Sequence, residues 1–134
     1  MTEFFNQLFC EFNEDYFVII EDDGRVAYAY LLNGKQILGD VWLYNQAPAP
    51  CNYHWDKKDK PFLNPKEYIK TEINPILHNC EVDIKWLKSE NLTIEGVFVY
   101  IKNELVAKMN IGSTPGWSTL VAREGPLAKV MSKG

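Results

Sequence analysis

Residues 16–44 read YFVIIEDDGRVAYAYLLNGKQILGDVWLY, and this stretch decides the fold. It contains three runs rich in Val, Ile, Tyr and Trp, a composition typical of β-strands, at residues 16–21, 25–32 and 36–44. The separators are Asp22-Asp23-Gly24 and Asn33-Gly34, and Asp-Gly and Asn-Gly pairs supply the positive φ angles that tight hairpin turns need. The stretch therefore predicts a three-stranded antiparallel meander.

The middle strand of this meander has two different faces, because successive side chains of a strand point to opposite sides. Tyr28 and Tyr30 lie on one face with Val26, whereas Ala27 and Ala29 lie on the other. The small alanine side chains leave room for another element, and we expect a helix to pack there. We assign the two tyrosines to the core or to a protein interface.

The second half of the chain returns to strand patterns. Residues 81–87 alternate apolar and polar side chains, as a half-solvated strand does. Residues 92–102 include a run at 97–101 that is apolar on both faces, which indicates a central or doubly covered strand. Residues 105–111 complete a hairpin with it. From residue 117 onward, the sequence is compatible with both strand and helix.

Two short helices are predicted outside these strands. Within residues 3–12 the apolar side chains recur at helical spacing, at Phe4, Phe5, Leu8, Phe9 and Phe12. We therefore expect an N-terminal amphipathic helix that packs on the sheet. Asn64-Pro65 has the form of an N-cap followed by proline at the first helical position, which predicts a central helix ending near Ile73.

These elements predict an α+β fold in one domain, residues 1–134, around an antiparallel sheet of roughly six strands. A chain of 134 residues with 46% hydrophobic and 13% aromatic residues has enough apolar surface for one core, which excludes a disordered protein. No window has the roughly 18 consecutive apolar residues of a membrane span, and the start lacks the basic region of a signal peptide. We expect a cytoplasmic protein, and its three separated cysteines fit reduced thiols.

The charge is unevenly distributed along the chain. The net charge is −4, yet residues 1–24 hold seven acids and no lysine or arginine. Such a segment repels nucleic-acid phosphates and favours a basic protein partner. The candidate residues for charge complementarity are Glu21, Asp22, Asp23 and Asp40, and the candidate aromatic anchors are Trp42, Tyr44 and Trp55. Neither nucleic acid nor a membrane is expected as a partner.

The proline-rich loop at residues 45–65 supports an alternative function. It contains Cys51, His54 and Asp56, which could serve a small enzyme or a ligand-binding domain. Cys51 and His54 have the spacing of half a zinc site, but the sequence offers no second close pair, so no metal is expected. No nucleotide-binding motif is present, so no cofactor is expected either. Nothing in the sequence marks the chain as an enzyme.

Four strings resemble a group of small bacterial proteins: EDDGRVAYAYLL at residues 21–32, GDVWLYN at 39–45, APAP at 47–50 and PFLNP at 61–65. Members of this group resemble the cytoplasmic immunity proteins encoded beside polymorphic secreted toxins, including Rhs-type toxins. The resemblance implies binding and neutralisation of a cognate toxin domain, which we take as the leading hypothesis. The alternatives are the loop-based enzyme or ligand-binding domain and a subunit that binds another protein constitutively.

Overall fold

A computed structural model describes residues 2–51 and 60–131 of the chain. These residues form nine β-strands and two single-turn 3-10 helices, the latter at Lys66–Tyr68 and Asn79–Glu81. In chain order the strands are β1 (Phe4–Phe9), β2 (Tyr16–Asp22), β3 (Val26–Asn33), β4 (Gln36–Asn45), β5 (Val82–Lys88), β6 (Ile94–Ile101), β7 (Glu104–Asn110), β8 (Trp117–Ser118) and β9 (Lys129–Val130). No helix in the described ranges is long and apolar enough to cross a membrane.

The strands form two sheets that pack on one another. The N-terminal sheet has the order β1-β2-β3-β4 and is antiparallel throughout. The C-terminal sheet has the order β5-β6-β7-β8-β9, with only the short β8–β9 pair parallel. One hydrophobic cluster takes buried side chains from both sheets, among them Val18, Ala29 and Leu31 from the first and Val97, Val99 and Met109 from the second. The described chain is therefore a two-layer β-structure around a shared core.

The outer edge of β4 is the joint between the sheets. Its backbone forms hydrogen bonds with the segment that follows β7: from Gly112 N–H to Leu38 O at 2.8 Å, from Gly116 N–H to Asp40 O at 2.6 Å and from Trp42 N–H to Leu127 O at 3.0 Å. An edge strand with unpaired backbone groups is a site of aggregation, and these bonds satisfy such groups along β4. They also fix the position of the C-terminal sheet relative to the meander.

The predicted meander is confirmed as β2, β3 and β4, and its alanine face is buried as expected. Ala27 and Ala29 have no exposed surface. The element that covers them is the C-terminal sheet, because the shared core includes both alanines together with Val97 and Val99. The prediction of a helix on this face is therefore wrong.

The α+β fold class is also wrong, because both predicted helices are replaced by extended backbone. The N-terminal segment is strand β1, which pairs with β2 along its whole length. Phenylalanine favours strands over helices, and this pairing satisfies the backbone of β1. At the predicted central helix, only Lys66–Tyr68 is helical, as one 3-10 turn. The next residues are extended and bond to the chain near Leu120, with Lys70 N–H donating to Leu120 O at 2.8 Å.

The sheet of roughly six strands is corrected as well, since two sheets of four and five strands are present. The predicted hairpin group of the second half is β5, β6 and β7, and its apolar strand β6 lies between the other two. From residue 117 onward, where the sequence is compatible with both strand and helix, the structure contains the short strands β8 and β9.

The close approach of Gly116 to the C-terminal sheet gives a test of the joint. A Cβ atom at Gly116 would collide with the carbonyl oxygen of Lys108, whereas a Cβ at Gly39 would meet its nearest atom, Ser113 O, at 3.2 Å. We expect Gly116→Ala to lower the free energy of unfolding by about 2–3 kcal/mol and Gly39→Ala by about 1 kcal/mol or less. Urea unfolding measures both. Equal stability of the two variants would contradict this packing.

Candidate functional site

The outer face of the N-terminal sheet carries a continuous row of apolar side chains. The pairing register aligns Phe9 with Phe17, Phe17 with Leu32 and Leu32 with Ile37, across all four strands. Phe9 is 55% exposed and Ile37 is 57% exposed. The Phe9 and Phe17 rings pack at a centroid distance of 5.4 Å. These four residues form what we call the apolar row, a contiguous apolar strip at the surface.

A cavity of about 460 Å³ lies on the same face, beside this row. Its floor is formed by Tyr28 and Tyr30 of β3 and Asp40 of β4, and its walls by the segments 60–62 and 126–127. The two tyrosine rings are nearly parallel, at 14° and a centroid distance of 6.0 Å. We call this cavity the tyrosine pocket. Its described lining combines two tyrosine rings, of which Tyr28 is only 7% exposed, with Asp40, Lys60 and apolar side chains.

One wall of the pocket is held in place by hydrogen bonds from the sheet. The Tyr28 hydroxyl donates to Phe62 O at 2.7 Å, and the Arg25 guanidinium donates to Pro61 O. The Asn45 side chain bonds the backbone of Asn64 on both sides, donating to its carbonyl at 2.9 Å and accepting from its N–H at 3.0 Å. These contacts position the wall on the sheet and preorganise the pocket.

Acidic residues outnumber basic ones around the pocket, since Glu21, Asp23 and Asp40 face Lys60 and Arg25. Asp40 is partly buried, and this burial raises its pKa above the ordinary value of 3.8. Among the residues that the structure describes, no side chain forms an ion pair or hydrogen bond with its carboxylate. Burial, followed by the negative charges of Glu21, Asp40 and Asp23, raises the pKa of Tyr30 to about 12. Burial also raises the pKa of Tyr28, so both phenols stay protonated at neutral pH.

The structure divides the predicted acidic cluster into two parts. Glu21 and Asp23 are exposed and, with Asp40, act on the tyrosines of the pocket. Asp22 points the other way and is 1% exposed. Alternation along β2 explains the difference, since neighbours in a strand face opposite sides. Three of the four predicted acids thus converge at one surface site.

Buried Asp22 belongs to a hydrogen-bond network inside the protein. Its carboxylate accepts from the Gly24 N–H at 2.9 Å, the Tyr44 hydroxyl at 2.6 Å and the Gln46 amide at 2.6 Å. The Tyr44 hydroxyl in turn accepts from the Ile76 N–H at 3.0 Å. Three donors compensate the desolvation of the carboxylate, so this network fixes the β2–β3 turn against β4.

The predicted aromatic anchors Trp42 and Tyr44 also lie in the core, at 1% and 2% exposure. The Trp42 indole N–H donates to Asn45 Oδ1 at 2.8 Å, which connects it to the wall of the pocket. Neither ring contributes to the described surface, and their role is to support the face from within. The third predicted anchor, Trp55, lies outside the described residues.

The alternative site in the loop is only partly described. Cys51 is exposed, and His54 and Asp56 lie outside the described ranges. Within residues 2–51 and 60–131, no group of His, Cys, Asp and Glu side chains could hold a metal ion. No observation on the described residues favours the loop as a catalytic site.

Sequence reasoning missed the apolar row and the pocket. The predicted helix at residues 3–12 does not align Phe9 with Phe17, whereas the pairing of β1 with β2 does. Tyr28 and Tyr30 were placed on one face of a strand, as the structure confirms, but not with Asp40. The register opposite Tyr30 is the signal that would have joined them, since Asp40 is its partner in β4.

The described residues form an all-β protein of two packed sheets, with an apolar row and a pocket of two tyrosines and an aspartate on the outer face of the N-terminal sheet. Comparison of the chain with protein-family models, with curated proteins and with solved structures finds no match.

The buried network predicts a purely structural role for Tyr44. Tyr44→Phe removes one donor to Asp22 and leaves the Ile76 N–H unpaired, so we expect the free energy of unfolding to fall by about 1–3 kcal/mol. Tyr100→Phe, on the half-buried outer face of β6, is the matched control and should change it by less than about 0.5 kcal/mol. Chemical denaturation measures both. If Tyr44→Phe is as stable as the control, the network of Asp22 and Tyr44 does not stabilise the fold.

Asp40 should destabilise the folded protein at neutral pH. Its pKa is raised in the folded state, so folding disfavours the ionised form, and stability falls as pH rises through the raised value. Asp40→Asn should therefore raise the melting temperature at neutral pH. The difference should vanish below the ordinary pKa of 3.8, where the carboxyl is protonated in both states. Thermal unfolding as a function of pH tests this, and a less stable variant at neutral pH would contradict it.

Proposed function

We propose that this protein is an immunity protein that binds and neutralises a cognate toxin domain through the outer face of its N-terminal sheet. The observation that carries the proposal is the apolar row, exposed at both of its ends and flanked by the acidic tyrosine pocket. The proposal makes the protein a binding module without catalysis of its own.

The apolar row supports protein binding because contiguous exposed apolar strips cost hydration free energy and mark interaction surfaces. It lies on paired strands, so the backbone positions that carry its side chains are fixed relative to one another before binding. Phe5, which is 58% exposed, extends the apolar surface along β1. An ordered aromatic surface of this kind binds with a small loss of side-chain entropy.

The surrounding charges favour a basic partner. Glu21 and Asp23 lie at the pocket end of the face, and Glu14 and Asp15 lie in the turn at the end of the apolar row. All are exposed acids in the segment that contains no lysine or arginine. Exposed Lys35, in the β3–β4 turn beside Ile37, is a cation at the other end of the row. The acids outnumber it, and an excess of negative charge beside an apolar centre accelerates association with a positive surface and orients it. A basic toxin domain fits this arrangement.

The resemblance to immunity proteins of polymorphic secreted toxins supports the same function from another direction. An immunity role also places the protein in the cytoplasm, where such a toxin would otherwise act. Inhibition then needs only a complex that covers the functional surface of the toxin. The acids and the apolar row would supply specificity and affinity respectively.

Co-expression with the product of an adjacent toxin-like reading frame tests the proposal directly. We expect cells that produce the toxin domain to survive only when this protein is present, and the two proteins to co-purify as a complex. Equal killing with and without the protein would contradict the immunity function. A gene with no toxin-like neighbour would count against it as well.

A pair of matched variants tests the binding face. Ile37→Lys places a positive charge in the apolar row, whereas Leu92→Lys places the same charge at a residue of similar exposure, 54%, in the β5–β6 turn. We expect Ile37→Lys to weaken toxin binding at least roughly tenfold and Leu92→Lys to leave it unchanged. Calorimetric titration measures both affinities. If Ile37→Lys binds as tightly as Leu92→Lys, the proposed face is wrong.

A further inference from the structure

We infer that the tyrosine pocket is the receptor for one arginine side chain of the partner. This inference rests on the proposed function, because the pocket lies on the face that would meet a basic partner. It goes further in assigning a side-chain type and a position.

The two tyrosine rings supply the aromatic part of a cation site. Tyr28 and Tyr30 are nearly parallel, and both line the cavity. The faces of aromatic rings attract cations, and a planar guanidinium also stacks on them. Tyr28 is additionally fixed through its hydroxyl, which donates to Phe62 O. The site therefore needs little rearrangement to receive a cationic group.

Asp40 supplies the charged part. Its carboxylate lines the cavity without a partner among the described side chains. A partly desolvated and unpaired carboxylate is unfavourable in the free protein, so a cation that enters the pocket gains a stronger interaction than one at a fully solvated acid. Glu21 and Asp23 add negative potential at the tyrosines. With Lys60 in the lining and the Arg25 guanidinium at Pro61 O counted, three acids and two cations leave one net negative charge around the free pocket, which is complementary to a single positive charge.

The walls select a side chain over a bare ion. Pro61, Phe62 and Leu127 provide apolar contacts suited to the methylene groups of arginine, while its charged end reaches Asp40. Hard metal ions prefer sites with several carboxylate or carbonyl oxygen ligands, and the described part of the lining supplies one carboxylate. The three acids outnumber the cations Lys60 and Arg25, so the net charge disfavours an anionic ligand. A planar guanidinium matches a carboxylate beside aromatic faces better than a compact ammonium does.

Lys60 also lines the pocket, and its positive charge competes with that of an entering cation. It is exposed at the rim and forms no ion pair with a described residue. Its ammonium repels an entering guanidinium. Removal of this charge should therefore strengthen binding of a cationic probe, whereas removal of the Asp40 charge should weaken it.

Titration of the isolated protein with small probes tests the inference by amide chemical shifts in NMR. The probes are N-acetyl-arginine methylamide, its neutral isostere N-acetyl-citrulline methylamide, and N-acetyl-lysine methylamide. We expect the arginine probe to shift the amides of Tyr28, Tyr30 and Leu127 with a dissociation constant of about 1–10 mM. The citrulline probe should bind at least roughly tenfold more weakly. Equal binding of arginine and citrulline would overturn the cation site, and equal binding of lysine would overturn the choice of arginine.

Variants then locate the site. Asp40→Asn should weaken the arginine probe at least roughly fivefold, and Lys60→Gln should strengthen it about twofold. Glu90→Gln, an exposed acid in the β5–β6 turn, is the charge-matched control and should have no effect. Asp40→Asn is expected to stabilise the fold, so lost binding would not reflect unfolding. Unchanged binding by Asp40→Asn would overturn the inference.

The two proposals fail separately. If none of the three probes binds in the pocket but the toxin domain still binds through the apolar row, only the inference of an arginine site is wrong. If the arginine probe binds as expected but no toxin is neutralised, the pocket stands and the immunity function is wrong.

Discussion

The hydrogen bonds along the outer edge of β4 are the constraint on which the rest of the structure depends. They join the two sheets, and they also build the pocket, because the same strand serves both purposes. The carbonyl oxygen of Asp40 holds Gly116, while its side chain lines the pocket. The N–H of Trp42 holds Leu127, which becomes a wall of the pocket. The joint thus brings residues far apart in the sequence to one site, on a rigid strand.

The two faces of the N-terminal sheet contribute differently to the stability of the fold. On the inner face Ala27, Ala29 and Leu31 are fully buried, in one core with side chains of the C-terminal sheet. The outer face retains features that lower stability: exposed phenylalanine and a carboxylate partly removed from water without a counter-charge. Such features persist in proteins when function requires them, since stability alone would favour their replacement. These destabilising features lie on the face that we propose as the binding surface.

How far the sequence predicts this fold depends on whether the signal is local. The β2–β4 meander is predictable because Asp-Gly and Asn-Gly turns and β-branched runs act within a few residues. The segment of β1 is not, because a strand that is apolar on both faces can place Phe4, Phe5, Leu8 and Phe9 at helical spacing. Pairing with β2 determines that this segment forms a strand and not a helix. The central segment after Tyr68 is likewise extended by distant pairing, as Ala122 N–H donates to Tyr68 O at 2.7 Å.

The candidate site also combines features that the local sequence predicts with features that depend on pairing between strands. Strand β1 is the clearest example of the second kind. The acids were identifiable from charge, but their directions depend on strand limits, which put Glu21 outside and Asp22 inside. The apolar row depends on register across four strands, and a slip of one residue would turn β1 over. A turned β1 would bury Phe5 and Phe9 in place of Phe4 and Leu8. That exchange would remove more aromatic surface from water, yet the structure leaves the two phenylalanines outside. Because a strand optimised for core burial alone would expose its less apolar face, the orientation of β1 supports a surface retained for contact with a partner.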